Sequence, residues 1–258
     1  MSWRNALTWC ALGLLPAMVW AGRPLLTDDT GTVKPGHVEL EAGALGIGNG
    51  PTRHMDALAC LTLGVTPRLE AGAGFGAQWE QRRPEDGTHD SFTDCTDLTL
   101  GLKWQGLADG PAGLSLALAP TLKLPFANRD KNGSGELDFD LAGLASLPLG
   151  ERANLHFNVG YMWVGDNDED LSDLLRLGLA LDYACTPAWQ WVAELYAVQA
   201  VETRDPWMLS ANTGLRWTVC DGLVLDGAVG AGLHGDMPDL TATVGLTWNY
   251  GWRRVGEK

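Results

Sequence analysis

The chain has 258 residues, of which 45% are hydrophobic, and its formal net charge is −14. This acidic balance argues against nucleic acid as a partner, because the phosphates would be repelled. After the N-terminal region, no stretch reaches the roughly 18 apolar residues that a membrane helix needs. A transmembrane β-barrel spreads its apolar residues by alternation, so an ordinary average composition is compatible with one.

The first 21 residues have the features of a secretory signal peptide. Arg4 supplies the positive charge, residues 6–20 form the apolar run, and Ala21 ends the small-residue cleavage site. We expect cleavage after Ala21, which leaves four cysteines in an oxidising compartment. The sequence therefore predicts an exported protein.

Residues 22–36 follow the signal peptide and show no hydrophobic period. Proline and glycine punctuate this stretch at Pro24, Gly31, Pro35 and Gly36, which predicts a loop or a plug-like periplasmic segment. Such a segment would fold into the periplasmic mouth of a barrel and gate it. Its candidate gating residues are Arg23, Asp28 and Asp29.

From residue 37 to residue 252, apolar side chains alternate with polar or small ones. In residues 69–79, for example, Leu69 and Phe75 share one parity, while Glu70 and Gln78 share the other. Successive side chains of a strand point to opposite faces, so each run predicts a strand with one apolar face. We count about twelve runs of roughly ten residues, the length that a tilted strand needs to cross a bilayer.

Connections between these runs are alternately short turns and longer polar loops. Bacterial outer-membrane barrels have this layout, with periplasmic turns and extracellular loops. An open sheet is excluded in lipid, because its edge amides would lack partners. We therefore predict an all-β fold, a transmembrane antiparallel up-and-down β-barrel of about twelve strands. Within it, Pro120 predicts a bulge.

The last predicted strand covers residues 240–252. Trp248, Tyr250 and Trp252 follow one another on its apolar face, as expected for side chains at a bilayer interface. An amphipathic strand of a soluble sandwich is the alternative for this stretch alone. A sandwich, however, does not require the alternating loop lengths of the whole chain. Residues 253–258 follow as a C-terminal tail.

Several short motifs resemble a family of outer-membrane transporters that is labelled the MetA pathway of phenol degradation family. They are Arg23 to Leu25, Thr27 to Val33, Thr66 to Glu70, Asp97 to Gly101, Gly133 to Asp138 and Ala242 to Trp248. The resemblance implies a porin-like barrel in the outer membrane of a Gram-negative bacterium. It implies contact with lipid, lipopolysaccharide and the barrel-assembly machinery, and transport of small, hydrophobic or aromatic solutes.

Polar side chains on the second face of each strand point into the lumen by parity. The pore-lining candidates are Glu70, Asp97, Lys103, Lys123, Asp138, Asp140, His156, Arg176, Asp182, Glu194, Arg216 and Asp226. One interpretation is a wet, acidic lumen that favours cations or neutral polar solutes. The other is a plugged interior in which these groups pair, because unpaired buried charges are costly. Inward glycines such as Gly72 and Gly178 favour an open passage, although glycines also allow strands to bend.

The four mature cysteines leave their pairing open. Cys185 and Cys220 lie in two predicted periplasmic turns, two strands apart. A disulfide between them is one interpretation, and two free thiols are the other. Cys60 and Cys95 point inward by parity, so they either form a bridge across the lumen or are small core residues, and we favour the second interpretation.

No cofactor, metal or catalytic site is expected. The acidic run that begins at Asp130 starts like a calcium loop, but its twelfth position is Leu141 instead of glutamate. His156 lacks the His-x-Ser arrangement of outer-membrane phospholipases, and nucleophilic catalysis needs a nucleophile beside a base. The sequence therefore favours a passive channel for small compounds. The alternative is a plugged structural or adhesive barrel that acts through its extracellular loops.

Overall fold

A computed structural model describes residues 22–82, 90–127, 135–165, 171–201 and 206–251. The predicted signal peptide, Trp252, the C-terminal tail and residues 130–134 of the calcium-like run lie outside the described residues. Within the described part of the chain, no helix is long and apolar enough to cross a membrane.

The described residues form thirteen strand segments in one antiparallel sheet. These are β1 (His37–Asn49), β2 (Thr52–Thr66), β3 (Leu69–Arg82), β4 (Asp90–Cys95), β5 (Leu98–Leu107), β6 (Ser115–Leu124), β7 (Asp138–Leu149), β8 (Ala153–Trp163), β9 (Leu174–Ala184), β10 (Trp189–Ala200), β11 (Met208–Cys220), β12 (Leu223–His234) and β13 (Leu240–Gly251). Segments β4 and β5 pair with different parts of the same strand, β3. They are therefore two parts of one barrel strand, which is interrupted at Thr96 and Asp97.

The twelve barrel strands close into a ring. β1 pairs with β13 from His37 opposite Gly251 to Gly48 opposite Leu240, and β1 pairs on its other side with β2. Closure gives every strand two neighbours, which satisfies the backbone groups that lipid cannot. The predicted all-β, twelve-stranded antiparallel barrel is confirmed. Below, the terminal end is the end at which β1 begins and β13 ends, and the loop end is the opposite one.

The outer face of the barrel is apolar along the middle and aromatic at both ends. At the terminal end, Trp189 stacks on Trp217 with ring centroids 5.4 Å apart. At the loop end, Phe139 and Trp163 stack at the same separation. Large aliphatic side chains lie exposed between the aromatic groups, among them Leu61, Leu100, Leu179, Leu195 and Leu215. An apolar belt between two aromatic girdles is the surface of a barrel that spans a bilayer.

The bulge predicted at Pro120 is wrong. Pro120 pairs with Leu141 of β7 in an unbroken register. On its other side, the ladder between β5 and β6 keeps one register from Gly101 to Trp104, although the two pairs between them are missing. Because proline has no N–H to donate, β6 loses pairing on this side without gaining an extra residue.

The predicted inward position of Cys95 is also wrong. Cys95 lies opposite Ala77 on the outer face, whereas Asp97 contacts Lys123 in the interior. The interruption at Thr96 shifts the parity between β4 and β5, so alternation cannot be carried across it. Cys60, in contrast, is inward and buried.

A charge placed on the belt tests this assignment of faces. Leu179→Arg puts a guanidinium at the middle of β9 on the outer face, and we expect the free energy of unfolding in phospholipid vesicles to fall by about 2–4 kcal/mol. Leu233→Arg, near the loop end of β12, is the matched control and should cost about 1 kcal/mol or less. Chemical denaturation measures both values. Equal costs at the two positions would contradict a belt that is centred on Leu179.

Candidate functional site

Residues 22–36, termed the inner segment, lie inside the barrel. Leu25, Thr27 and Thr30 of this segment are buried against the strands. No strand is assigned within the inner segment, so side chains of the barrel hold it instead of a backbone ladder. The site is therefore a set of contacts between the segment and the inward faces of the strands.

The first residues of the segment are bound by a row of residues that lie opposite one another on neighbouring strands. Gly43 of β1 lies opposite Gly245 of β13, and Gly245 lies opposite Asp226 of β12. Arg216 of β11 continues the row beside Asp226. The guanidinium of Arg23 lies so close to the two glycines that a Cβ at either position would overlap it. The missing side chains of the two glycines thus make room for Arg23.

Asp226 and Arg216 fix Arg23 from two sides. The Nε and Nη2 atoms of Arg23 donate to the Asp226 carboxylate at 3.3 and 3.1 Å. Arg216 donates to the carbonyl oxygens of Gly22 and Arg23 at 2.6 and 2.5 Å. A bidentate ion pair between arginine and carboxylate is among the stronger polar contacts. Here it binds the segment to β12.

Glu194 of β10 binds the backbone of the segment. Its carboxylate accepts the N–H groups of Leu26 at 2.9 Å and Thr27 at 2.8 Å, and the side-chain amide of Asn212 at 2.6 Å. Thr27 lies over Gly178, where a Cβ would overlap the threonine hydroxyl. The segment thus supplies two of the donors that this buried carboxylate needs.

Lys103 of β5 connects the segment to the opposite wall. Its Nζ lies 3.0 Å from Asp28 and 3.3 Å from Glu70, and Glu70 also accepts the N–H of Val33 at 2.6 Å. Asp29 is exposed and accepts a hydrogen bond from within its own segment. Of the candidate gating residues, Arg23 and Asp28 therefore contact the barrel through their side chains, and Asp29 closes a local turn.

Ser146 of β7, which sequence reasoning missed, holds the middle of the segment. Its Oγ accepts the N–H of Thr30 at 3.1 Å and lies 2.9 Å from Nδ1 of His156, whose Nε2 lies 2.9 Å from Asp182. The side chains of Ser146, His156 and Asp182 thus form a chain of polar contacts that ends on the backbone of the inner segment.

The remaining candidates pair with each other along the wall. Lys123 lies between Asp97 and Asp138, and Arg176 pairs with Asp140. All twelve pore-lining candidates thus face the interior and have a partner there. Around the inner segment, the charged side chains of the barrel wall are paired with partners and do not line a free passage. Space at an inward glycine is likewise used by the segment, as Gly178 shows.

The inner segment separates two cavities of different chemistry. Toward the loop end, a cavity of about 60 Å³ has mainly apolar walls, which include Leu26, Ile47 and Met237. Toward the terminal end, a cavity of about 460 Å³ is lined by charged groups such as Glu39 and Lys103. The barrel interior is therefore polarised along its axis.

The apolar part of the interior was not predicted from the sequence. Its buried members are Met162, Leu174, Tyr196, Val198, Ala200 and Met237, with Leu26, Val164 and Met208 packed against them. A signal was present in residues 161–164, where side chains of both parities are apolar. At the loop end of a strand, such a run places apolar groups on the inward face as well as the outward one.

Cys185 and Cys220 are free and exposed, so the structure agrees with the second of the two interpretations, two free thiols. One strand, β10, separates β9 from β11, which puts the two chains about 9–10 Å apart. A disulfide tolerates a Cα separation of about 7 Å at most. In the described residues, no group of three His, Cys, Asp or Glu side chains is placed to hold a metal ion.

Comparisons with known proteins agree with this architecture. A family model described as "Putative MetA-pathway of phenol degradation" matches residues 21–250. No curated protein matches the chain in sequence. Among solved structures, the COG4313 outer membrane channel from Pseudomonas putida F1 superposes with a TM-score of 0.70 and 14% identity, over 86% of this chain and 98% of that one.

Two further solved structures have the same fold. The KdgM porin in complex with disordered oligogalacturonate gives a TM-score of 0.56 and 7% identity, over 83% of this chain and 99% of that one. The CymD monoaromatic hydrocarbon channel gives 0.51 and 10%, over 86% and 90%. At such identities, the likeness shows that the fold is that of outer-membrane channels and porins.

Acid should tighten the seating of the inner segment. Burial raises the pKa of Asp28 to about 7, against the attraction of Lys103, whereas the ordinary value is 3.8. The Asp28 carboxyl therefore binds its proton more tightly when the inner segment is bound in the lumen than when the segment is released. As the pH rises toward about 7, the bound state of the segment loses stability. We expect the conductance in planar bilayers to rise by up to about tenfold per pH unit between about pH 4 and pH 7.

Asp28→Asn is the control for this pH dependence. It removes the titrating group and should flatten most of the slope between pH 4 and pH 7. A conductance that increases as the pH falls, or a slope that Asp28→Asn leaves unchanged, contradicts the role of this carboxyl.

Proposed function

The chain belongs to the MetA-pathway of phenol degradation family, and from this we propose that it is a passive channel for small molecules that its inner segment closes. The protein is a porin-like β-barrel of the outer membrane. We infer that the terminal end faces the periplasm, where such barrels have their short turns. Its membrane setting implies contact with lipid, and we also propose contact with lipopolysaccharide and the barrel-assembly machinery.

The observation that carries this proposal is how the inner segment is held. It is bound by separate polar contacts to Asp226, Glu194, Lys103 and Ser146, and none of them belongs to the barrel ladder. Each such contact contributes on the order of 1 kcal/mol net. The segment can therefore leave while the ring stays closed, and water can solvate the polar groups that bound it, such as Glu194 and Asp226.

The family and the cavity at the loop end support the solute class that we propose. Small, hydrophobic or aromatic compounds suit the apolar walls of that cavity, which include Ile47 and Met237. The CymD channel, which shares the fold, is described as a monoaromatic hydrocarbon channel. The alternative, a plugged structural or adhesive barrel, is separated from a channel by liposome swelling. A folded protein that admits no small sugar with or without its inner segment is a plugged barrel.

Removing the inner segment tests the channel directly. Deletion of residues 23–34 should raise the single-channel conductance in planar bilayers severalfold, because the lumen loses the only segment that we see crossing it among the described residues. The heat-modified mobility of the barrel on gels checks that the deletion variant is folded. An unchanged conductance of a folded variant removes the gating proposal.

A single substitution at the seat of Arg23 should have a smaller effect in the same direction. Asp226→Asn removes the charge that pairs with Arg23, and losing about 1–2 kcal/mol of this contact raises the open probability roughly tenfold. Asp138→Asn is the matched control, since Asp138 pairs with Lys123 and not with the segment. If both variants open the channel equally, the effect is a general one on the lumen and not release of the segment.

A further inference from the structure

The apolar cavity at the loop end is bounded below by the inner segment and above by a turn. Pro24 and Leu26 of the segment line its floor, and Met237 and Pro238 line its roof. The turn is fixed by a hydrogen bond of 2.8 Å from the N–H of Gly232 to the carbonyl oxygen of Pro238. Solute that fills the cavity thus lies directly on the segment that closes the channel.

The uncharged lining of the cavity disfavours the binding of a charged solute. The lining residues among those described are Pro24, Leu26, Leu45, Ile47, Tyr196, Ser210, Asn212, Ala228, Val229, Ala231, Gly232, Met237, Pro238, Thr241 and Thr243, and none is charged. An ion would lose its water there without gaining a counter-charge, which is costly. An apolar surface gains free energy on leaving water, and the few hydroxyl and amide groups can bind one polar substituent.

The size of the cavity adds a constraint. Its volume is about 60 Å³, whereas an apolar protein cavity that binds benzene measures about 150 Å³. A ring-sized solute therefore does not fit while Leu26 and Pro24 occupy the floor. Movement of these two residues out of the lumen would supply the missing space.

The walls of the cavity also hold the segment. Asn212 lines the cavity and donates to Glu194, the carboxylate that binds the N–H of Leu26. Thr243 lines it as well and accepts a hydrogen bond of 3.2 Å from Arg23. A solute that displaces Leu26 thus competes with contacts that keep the segment in place.

We propose that this cavity is a binding site for an uncharged, ring-sized apolar solute, and that the solute and the inner segment compete for it. This inference rests on the proposed channel function and adds its regulation. A ligand that binds only the released state shifts the population toward that state. The solute therefore opens the channel through which it passes, and an empty channel stays closed to ions.

Benzyl alcohol and benzoate are matched probes, since they share a ring and differ in charge. In planar bilayers, benzyl alcohol should raise the open probability of the wild-type channel, and benzoate should not. Ala228→Leu fills the cavity from the barrel wall, and it should raise the half-maximal benzyl alcohol concentration at least tenfold. An equal response to both probes, or an unaltered response of Ala228→Leu, overturns the site.

Two neighbouring leucines separate competition from simple loosening of the segment. Leu26→Ala enlarges the floor of the cavity, so benzyl alcohol should bind more tightly by calorimetry while raising the open probability less. Leu25→Ala removes the same atoms next to Leu26, but Leu25 packs against Ala180 and Val192. It should keep the full opening response. If Leu26→Ala responds like Leu25→Ala, solute and segment do not compete.

The variant that lacks residues 23–34 distinguishes the two proposals. It should conduct without benzyl alcohol, and the probe should add no further opening. If it conducts while benzyl alcohol does not change the open probability of the wild-type channel, the channel function is supported and the proposed competition is wrong. If the folded deletion variant does not conduct, the proposed function itself is wrong.

Discussion

The structure depends on one constraint, which is that a backbone N–H or C=O group in hydrocarbon has no water to bind. Each unsatisfied group there costs several kcal/mol, so strands that cross a bilayer must pair on both sides. The pairing of β1 with β13 from His37 to Gly48 meets this constraint. Once the ring is closed, side-chain parity divides every strand into a face for lipid and a face for the interior. The positions of Leu179 and Asp182, three residues apart on β9, follow from that division alone.

Polar groups in the interior of the barrel are not under this constraint, because water can enter the interior. Glu194 is satisfied by the N–H groups of Leu26 and Thr27 when the inner segment is present, and water can take their place when it is absent. A buried salt bridge in a solid core has no such substitute, and breaking it is strongly unfavourable. In a lumen, the exchange of segment for water is nearly balanced. In the channel that we propose, this balance allows the inner segment to be both stably bound and removable.

Alternation made the outer surface predictable from the sequence, and two predictions about the strands were wrong for identifiable reasons. Cys95 faces outward because the strand is interrupted at Thr96, and parity cannot be counted across a break. Pro120 kept its register because the loss of an N–H does not require an extra residue. The charged inward residues followed from parity, but their partners did not. Ser146 binds Thr30, which is 116 positions away, and only the closed barrel brings them together.

The same reasoning explains why the contacts of the inner segment and the apolar end of the lumen could not be predicted from the sequence. A segment without periodicity carries no information on where it packs, and the seat of Arg23 consists of two missing side chains, at Gly43 and Gly245. In the sequence, an apolar inward residue such as Met162 looks like a break in alternation and not like part of an apolar cluster in the lumen. In the channel that we propose, such breaks place apolar groups at the end where a solute enters. There, an uncharged cavity followed by charged groups lets a neutral solute lose its hydration before it meets the inner segment, and it opposes an ion at the first step.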